Sequence, residues 1–187
     1  MNVKKRKKNR MAGLILALLL IAIGAAWYAA TVVFPIGYLD AVGKYSEEYG
    51  VDRVLILAVI HAESGFDPEA VSAADARGLM QINGSTGIFI AGKLGIEGYT
   101  QDKLYDPETS IRMGTWYLSY LGRLFSTERT ALAAYNAGPG RVREWIASDD
   151  YGDGENLLQI PYAETRDYVE KIELRKKIYR LLYFWKL

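Results

Sequence analysis

Apolar positions fall in three patterns along the chain: an uninterrupted run near the start, helix-spaced runs after Pro35, and short runs broken by glycine between Phe66 and Gly98. The stretch that organises the rest is residues 51 to 66, where seven apolar residues from Val54 to Ile60 follow Asp52 and precede Gly65. Aspartate is a good N-cap and glycine a good stop, so the pattern predicts a buried helix. Glu63 stands at its C-terminal end, and Ile60, Val59 and Ile56 lie beneath it at helical spacing. Apolar surroundings and the negative end of the helix dipole both disfavour an ionised carboxyl there. A carboxyl kept protonated near neutral pH is what a general acid requires, which makes Glu63 the candidate catalyst; the competing reading is a solvated glutamate at a helix end.

The same periodicity predicts the other elements. Tyr38, Leu39, Val42, Tyr45 and Tyr49 mark a helix ended by Gly50. Between Phe66 and Gly98 loops are expected, with short helical pieces at Pro68 to Val71 and Thr86 to Leu94, or a small β-hairpin in part of it. Asp106-Pro107-Glu108 starts a helix running to about Phe125, with Ile111, Gly114, Leu118, Leu121 and Phe125 facing the core. Thr127 caps a shorter helix through Ala131, Leu132 and Tyr135, stopped by Gly138-Pro139-Gly140, and Val142, Trp145 and Ile146 mark another. Residues 148 to 156 read as a mobile, solvated acidic loop. Pro161 opens a last long helix whose apolar positions are Val169, Ile172, Leu174, Ile178, Leu181, Leu182 and Trp185. The result is one mainly α domain of ordinary size, with no internal repeat.

The N-terminal run changes the picture of where that domain works. Residues 4 to 10 hold six of the 23 Lys and Arg, and Met11 to Phe34 carries no charge at all. As a helix that run reaches across about 30 Å of hydrocarbon, so residues 11–34 are expected to be a transmembrane signal anchor, with 1–10 a basic cytoplasmic tail and 35–187 outside. A cleaved signal peptide is the alternative, with Ala22-Ile-Gly24 and Gly24-Ala-Ala26 the nearest sites. From Pro35 onward 17 basic residues face 22 acidic ones, which argues against nucleic acid as a partner. The chain has no cysteine and one histidine, His61, which excludes disulfides, thiolate metal sites and histidine-rich metal sites; no cofactor is expected.

Four segments hold residue combinations that packing alone does not demand: Glu63-Ser64-Gly65-Phe66, Gly78-Leu79-Met80-Gln81, Ala134-Tyr135-Asn136-Ala137-Gly138, and Tyr162 to Val169. Singly each has a structural reading, such as Gly78 turning the chain or Tyr135 sitting in the core. Together they describe a groove with one acid, neutral hydrogen-bonding groups and aromatic rings, which suits a sugar chain carrying hydroxyl and acetamido groups.

These segments, in this order, with Tyr105-Asp106-Pro107-Glu108 and Ile160-Pro161-Tyr162, resemble the catalytic domain of lytic transglycosylases of the soluble-lytic-transglycosylase (SLT) type, related in fold to goose-type lysozyme. The resemblance covers nearly all of residues 38 to 184. It implies a lysozyme-like fold and a peptidoglycan substrate, cleaved between N-acetylmuramic acid and N-acetylglucosamine. It further implies that Glu63 is the acid and then the base, that Ser64, Met80 and Gln81 touch substrate, that Tyr135 and Asn136 stand near the acetamido group, and that Glu164 and Tyr168 line the cleft. With one carboxylate, the family's chemistry takes its nucleophile from the substrate acetamido group and ends in a 1,6-anhydro ring. Departures from the family pattern are Asp75 in place of glycine, Ile82-Asn83 after Gln81, and Ser110 and Arg141 in place of asparagine.

Two other readings stay open at this point. One is hydrolysis, as in a muramidase, with Asp67, Asp75 or Glu164 positioning water. The other is a non-catalytic glycan-binding scaffold of a cell-wall machine. With Pro35 to Tyr38 as the whole linker, a tethered enzyme is expected to act on wall close to the membrane, such as nascent strands or a passage for an envelope-spanning assembly.

Overall fold

A computed structural model describes residues 3 to 186, which divide at Ile36/Gly37 into two compact units. The first holds α1 (Val3–Tyr28), continued by a π-helical turn over Ala29–Val33. Its apolar side chains face outward; Leu14, Leu18 and Ile21 are all exposed. Gly13 to Val33 is long and apolar enough to cross a membrane, by length and composition.

The second unit is helical throughout its regular structure: α2 (Leu39–Tyr49), α3 (Arg53–Glu63), α4 (Gly84–Leu94), a 3-10 turn (Gln101–Tyr105), α5 (Pro107–Leu124), α6 (Glu128–Ala137), α7 (Pro139–Ile146) and α8 (Ala163–Tyr183). The boundaries follow from the caps. Asp52, Asn83, Asp106 and Thr127 each accept a hydrogen bond from a backbone N–H of the first turn, and Gly50 and Gly95 leave their helices in the left-handed conformation.

Helix α3 runs through the middle of this unit, and every residue from Val54 to Ile60 is buried. Burying side chains of this size stabilises by about 1.5–3 kcal/mol each, so the apolar run anchors the core. Helix α8 packs along α3, α2 and α6 pack on α5, and α6 also meets α8. The expected core face of α5 is observed, with Ile111, Leu118, Leu121 and Phe125 all buried.

Four expectations are corrected. Pro68 to Val71 is turn rather than helix, and the stretch instead closes through isolated antiparallel bridges, Val71 with Arg77 and Arg77 with Ile82. Residues 148–156 are solvated but tied by their own hydrogen bonds: Asp153 accepts from the N–H groups of Glu155 and Asn156, and Gly152 is buried against Ile146. Pro161 precedes α8 rather than opening it. Finally, Leu174, Leu181 and Trp185 are not core positions; they are 58%, 75% and 63% exposed. The buried stripe of α8 is Thr165, Tyr168, Val169, Ile172, Tyr179 and Tyr183, because tyrosines with hydroxyl partners on α3 displace the leucines from the inner face.

Candidate active site

Glu63 is the last residue of α3, so its carboxyl leaves the helix where the core ends and the loop to α4 begins. Ser64 fixes that loop: its hydroxyl donates to the Leu79 carbonyl at 2.9 Å and accepts the Phe66 N–H at 3.2 Å. The loop is compact because several residues adopt left-handed backbone, with φ of 62° at Gly65, 72° at Phe66, 73° at Gly78 and 46° at Gln81. At Gly78 a side chain is impossible, since a Cβ would collide with the Leu104 carbonyl and approach Ser110 Oγ at 3.1 Å.

The Gly-Leu-Met-Gln segment is thereby pressed against α5 and α6. Ser110 Oγ accepts the Met80 N–H at 3.2 Å, and the Met80 side chain is fully buried against Gly114. The Met80 carbonyl accepts from the Tyr135 hydroxyl at 2.8 Å. Gln81 donates both amide hydrogens to backbone, to Ala70 and Gly78 carbonyls at 2.9 Å each. Its strained φ is held by these bonds and by the turn they close.

Helix α8 brings the fourth segment to the same place. Tyr168 donates its hydroxyl to Glu63 Oε1 at 2.6 Å. One turn earlier, the buried Thr165 hydroxyl donates to Asn136 Oδ1 at 2.7 Å, which seats the exposed Asn136 at the end of α6. The structure thus brings together Glu63, Ser64, Met80, Tyr135, Asn136 and Tyr168, with Gln81 bracing the loop. Glu164 is exposed in the first turn of α8, next to Thr165. Asp67 accepts the Glu69 N–H at 2.9 Å, and Asp75 is paired with Arg77 at 2.9 Å.

The electrostatics follow from this packing. Desolvation pushes the Glu63 carboxyl up to about 7, against the opposing pull of the Tyr168 hydrogen bond and the Lys171 charge. Burial also holds the Tyr135 and Tyr168 hydroxyls well above their ordinary range, with the Glu63 charge adding to it, so both stay neutral donors. His61, which hydrogen-bonds Tyr179 at 3.0 Å, is pushed down to about 4 by desolvation and then by Arg175 and Lys171, so its ring stays uncharged near neutral pH. Beyond Tyr135, whose ring meets Tyr117 at 5.6 Å, lies a 260 Å³ cavity lined by Ser85, Thr86, Phe89, Tyr117, Tyr120 and Pro139. Among the described residues, no group of three or more His, Cys, Asp or Glu could hold a metal ion.

Thr165, Ser110 and Lys171 were not singled out from sequence as site residues. Thr165 had a usable signal, since it lies three residues before Tyr168 on the same helix face. Ser110 stood out only as a departure from the family pattern, and its bond to Met80 N–H is visible only once α5 meets the loop.

A mainly helical fold with one desolvated carboxylic acid at a helix end, edged by neutral hydroxyls, amides and aromatic rings, defines a lysozyme-like domain with a candidate acid–base site. Comparison with known proteins gives the family. The chain belongs to the Transglycosylase SLT domain family, which matches residues 40–158. It is 36% identical over 161 residues to the soluble lytic murein transglycosylase of Escherichia coli K12, covering 84% of this chain and 25% of that protein. It is 38% identical over 169 residues to membrane-bound lytic murein transglycosylase C of Edwardsiella ictaluri, covering 76% of this chain and 46% of the relative. The 1.65 Å crystal structure of the 70 kDa soluble lytic transglycosylase SLT70 of Escherichia coli superposes with a TM-score of 0.71 at 35% identity, over 82% of this chain and 25% of that one. An inactive glutamate-to-glutamine variant of lytic transglycosylase Slt from Pseudomonas aeruginosa superposes with a TM-score of 0.69 at 33% identity, over 79% of this chain and 24% of that one. The chain therefore spans about a quarter of the length of the soluble transglycosylases it matches.

Proposed function

We propose that this chain is a membrane-anchored lytic transglycosylase that cleaves peptidoglycan between N-acetylmuramic acid and N-acetylglucosamine, leaving 1,6-anhydro ends. The observation that carries the reading is Glu63: a carboxyl raised to about 7 by burial, held by Tyr168 and set beside the Tyr135–Asn136 corner. Such a group is protonated for a useful fraction of the time at neutral pH and becomes a competent base once it has given up its proton.

In the first step Glu63 transfers its proton to the glycosidic oxygen as the C1–O bond breaks, and the acetamido oxygen of the muramyl residue bonds to C1 in its place. This use of a substrate group replaces the second carboxylate that most glycosidases supply. In the second step the Glu63 carboxylate takes the proton of the C6 hydroxyl, O6 bonds to C1, and the acetamido oxygen leaves. Glu63 ends protonated, as it began, and water is not consumed. Asn136, fixed by Thr165, and the Tyr135 ring are the groups placed to orient the acetamido arm, while Ser64 and Met80 shape the loop wall against which the sugar lies.

Two features of the relatives support the assignment: those named here are called lytic transglycosylases, and the inactive Pseudomonas variant replaces a glutamate by glutamine. Anchoring is supported by the apolar helix and by a relative named as membrane-bound. The basic residues at 4–10 orient the helix with the folded unit outside the cell membrane. The test is mass spectrometry of muropeptides released from peptidoglycan. Ends lighter than reducing ends by one water are expected, and only full-weight reducing ends would show hydrolysis instead. Retention on peptidoglycan with no released muropeptide would show a binding module.

A further inference from the structure

The outward apolar stripe of α8 has no role in the core or the site. Leu174, Ile178 and Leu181 are spaced by four and three residues, so they share one helix face, opposite the tyrosines that pack on α3, and Trp185 follows in the turn after the helix. Leu181 and Phe184 are 75% and 77% exposed. After Glu173 the described chain carries Arg175, Lys176, Lys177, Arg180 and Lys186 and no acidic residue; Lys176 is paired with Glu128 and Arg180 with Asp52, which leaves Lys177 and Lys186 as the cations beside the stripe.

A side chain at Gly37, where the chain passes from the apolar helix into the folded unit, would lie 3.5 Å from the Phe66 ring. Phe66 meets His61 with ring centroids 6.1 Å apart, and His61 meets Tyr179 at 5.8 Å. Tyr179 meets Tyr183 at 6.0 Å, Tyr183 meets Trp185 at 6.4 Å, and Trp185 meets Phe184 at 5.0 Å. An unbroken row of rings therefore connects Gly37 to the exposed aromatic end of α8. Tyr38 and Leu39, also exposed, lie at the same Gly37 end.

We propose that the end of α8 and the turn after it, through Leu181, Phe184 and Trp185 flanked by Lys177 and Lys186, dock on the surface of a lipid bilayer. Tryptophan, phenylalanine and leucine on one side with lysine and arginine around them is the composition that settles at the headgroup boundary. The basic residues match anionic headgroups. The inference rests on the reading of residues 11–34 as a membrane anchor.

The absence of native cysteine makes the test clean. Full-length chain is reconstituted in vesicles of phosphatidylcholine and phosphatidylglycerol, with a nitroxide on a single cysteine introduced as Leu181→Cys, Leu18→Cys or Glu155→Cys. Relaxation by lipid-soluble oxygen is compared with relaxation by a water-soluble nickel chelate. The expected result is several-fold oxygen preference at 18 and at 181, and nickel preference at 155. Nickel preference at 181 with oxygen preference at 18 overturns the docking and leaves the anchor intact. Nickel preference at 18 overturns the anchor and the docking with it. Shielding of 181 from both reagents means that protein covers the stripe, which also overturns the proposal.

Discussion

The Tyr168 hydroxyl donates to Glu63 Oε1 at 2.6 Å, joining two residues 105 positions apart in the sequence. Burial drives the Glu63 carboxyl toward its neutral form, whereas this bond favours the charged form, so the pair sets the proton affinity at the site between two opposing effects. The desolvation effect is the larger, which is why the carboxyl settles near 7.

Removing the tyrosine hydroxyl follows directly. Tyr168→Phe keeps the ring packing and deletes the donor, so the Glu63 proton is held more tightly. A hydrogen bond to a charged group is worth about 1.5–3 kcal/mol, enough to move the alkaline limb of the kcat/KM profile up by about one to two units. The profile is measured on purified glycan strands between pH 5 and 9. An unmoved limb would show that Tyr168 does not tune Glu63.

The raised carboxyl also predicts how stability depends on pH. Between 4.5, the ordinary glutamate value, and about 7 the folded chain keeps a proton that the unfolded chain has released. This contribution to stability is fully present below about 4.5 and is lost as the pH rises through about 7. Glu63→Gln cannot ionise and should abolish turnover while keeping the fold. It should also remain more stable than the parent by about 2–3 kcal/mol at pH 8, with little difference at pH 4.5. Urea unfolding at the two pH values decides it; equal stability at both would mean that Glu63 is solvated.

Tyr135 presents a different case, because its hydroxyl is already used on the Met80 carbonyl at 2.8 Å. Tyr135→Phe leaves that carbonyl unpaired and is expected to destabilise by about 1 kcal/mol. Activity should fall with it, since the same bond holds the Met80 loop against α6. Kinetics unchanged on purified strands, alongside the stability loss, would make Tyr135 a structural residue only.

Gly78→Ala tests the loop itself. The new Cβ meets the Leu104 carbonyl in a backbone conformation, φ 73°, that alanine disfavours. A loss of about 2–4 kcal/mol in urea unfolding is expected, well above the cost of an ordinary surface change.

Thr165→Val removes the hydroxyl that seats Asn136 and preserves the shape of the side chain. The expectation is a raised KM and a lowered kcat on glycan strands with a buried, intact α8, seen as an unchanged circular dichroism spectrum. Wild-type kinetics would mean that Asn136 needs no such support.

Much of this fold is legible in the sequence. The helix boundaries were set by local chemistry: Asp52, Asp106 and Thr127 cap with their own side chains, and Gly50 ends its helix because it can turn left-handed. The burial of Glu63's neighbours was legible for the same reason, since an apolar run at helical spacing must go inside. Apolar spacing failed on α8, where Leu174, Leu181 and Trp185 were read as core and are exposed. Periodicity marks a face but not which side it looks toward, and Tyr179 and Tyr183 took the inner side because hydroxyl and ring partners were available there.

The order of the main helices, most of their ends and the placement of Glu63 at the end of an apolar helix were determined by the sequence alone, because each depends on residues only a few positions apart. Which groups surround that carboxyl was decided by the tertiary structure. Tyr168, Lys171 and the Met80–Tyr135 bond reach it from α8, the loop and α6, and contacts between such distant segments leave no trace in local spacing. Desolvation is a property of everything packed around a group, so the shift in proton affinity exists only once the chain has closed on itself.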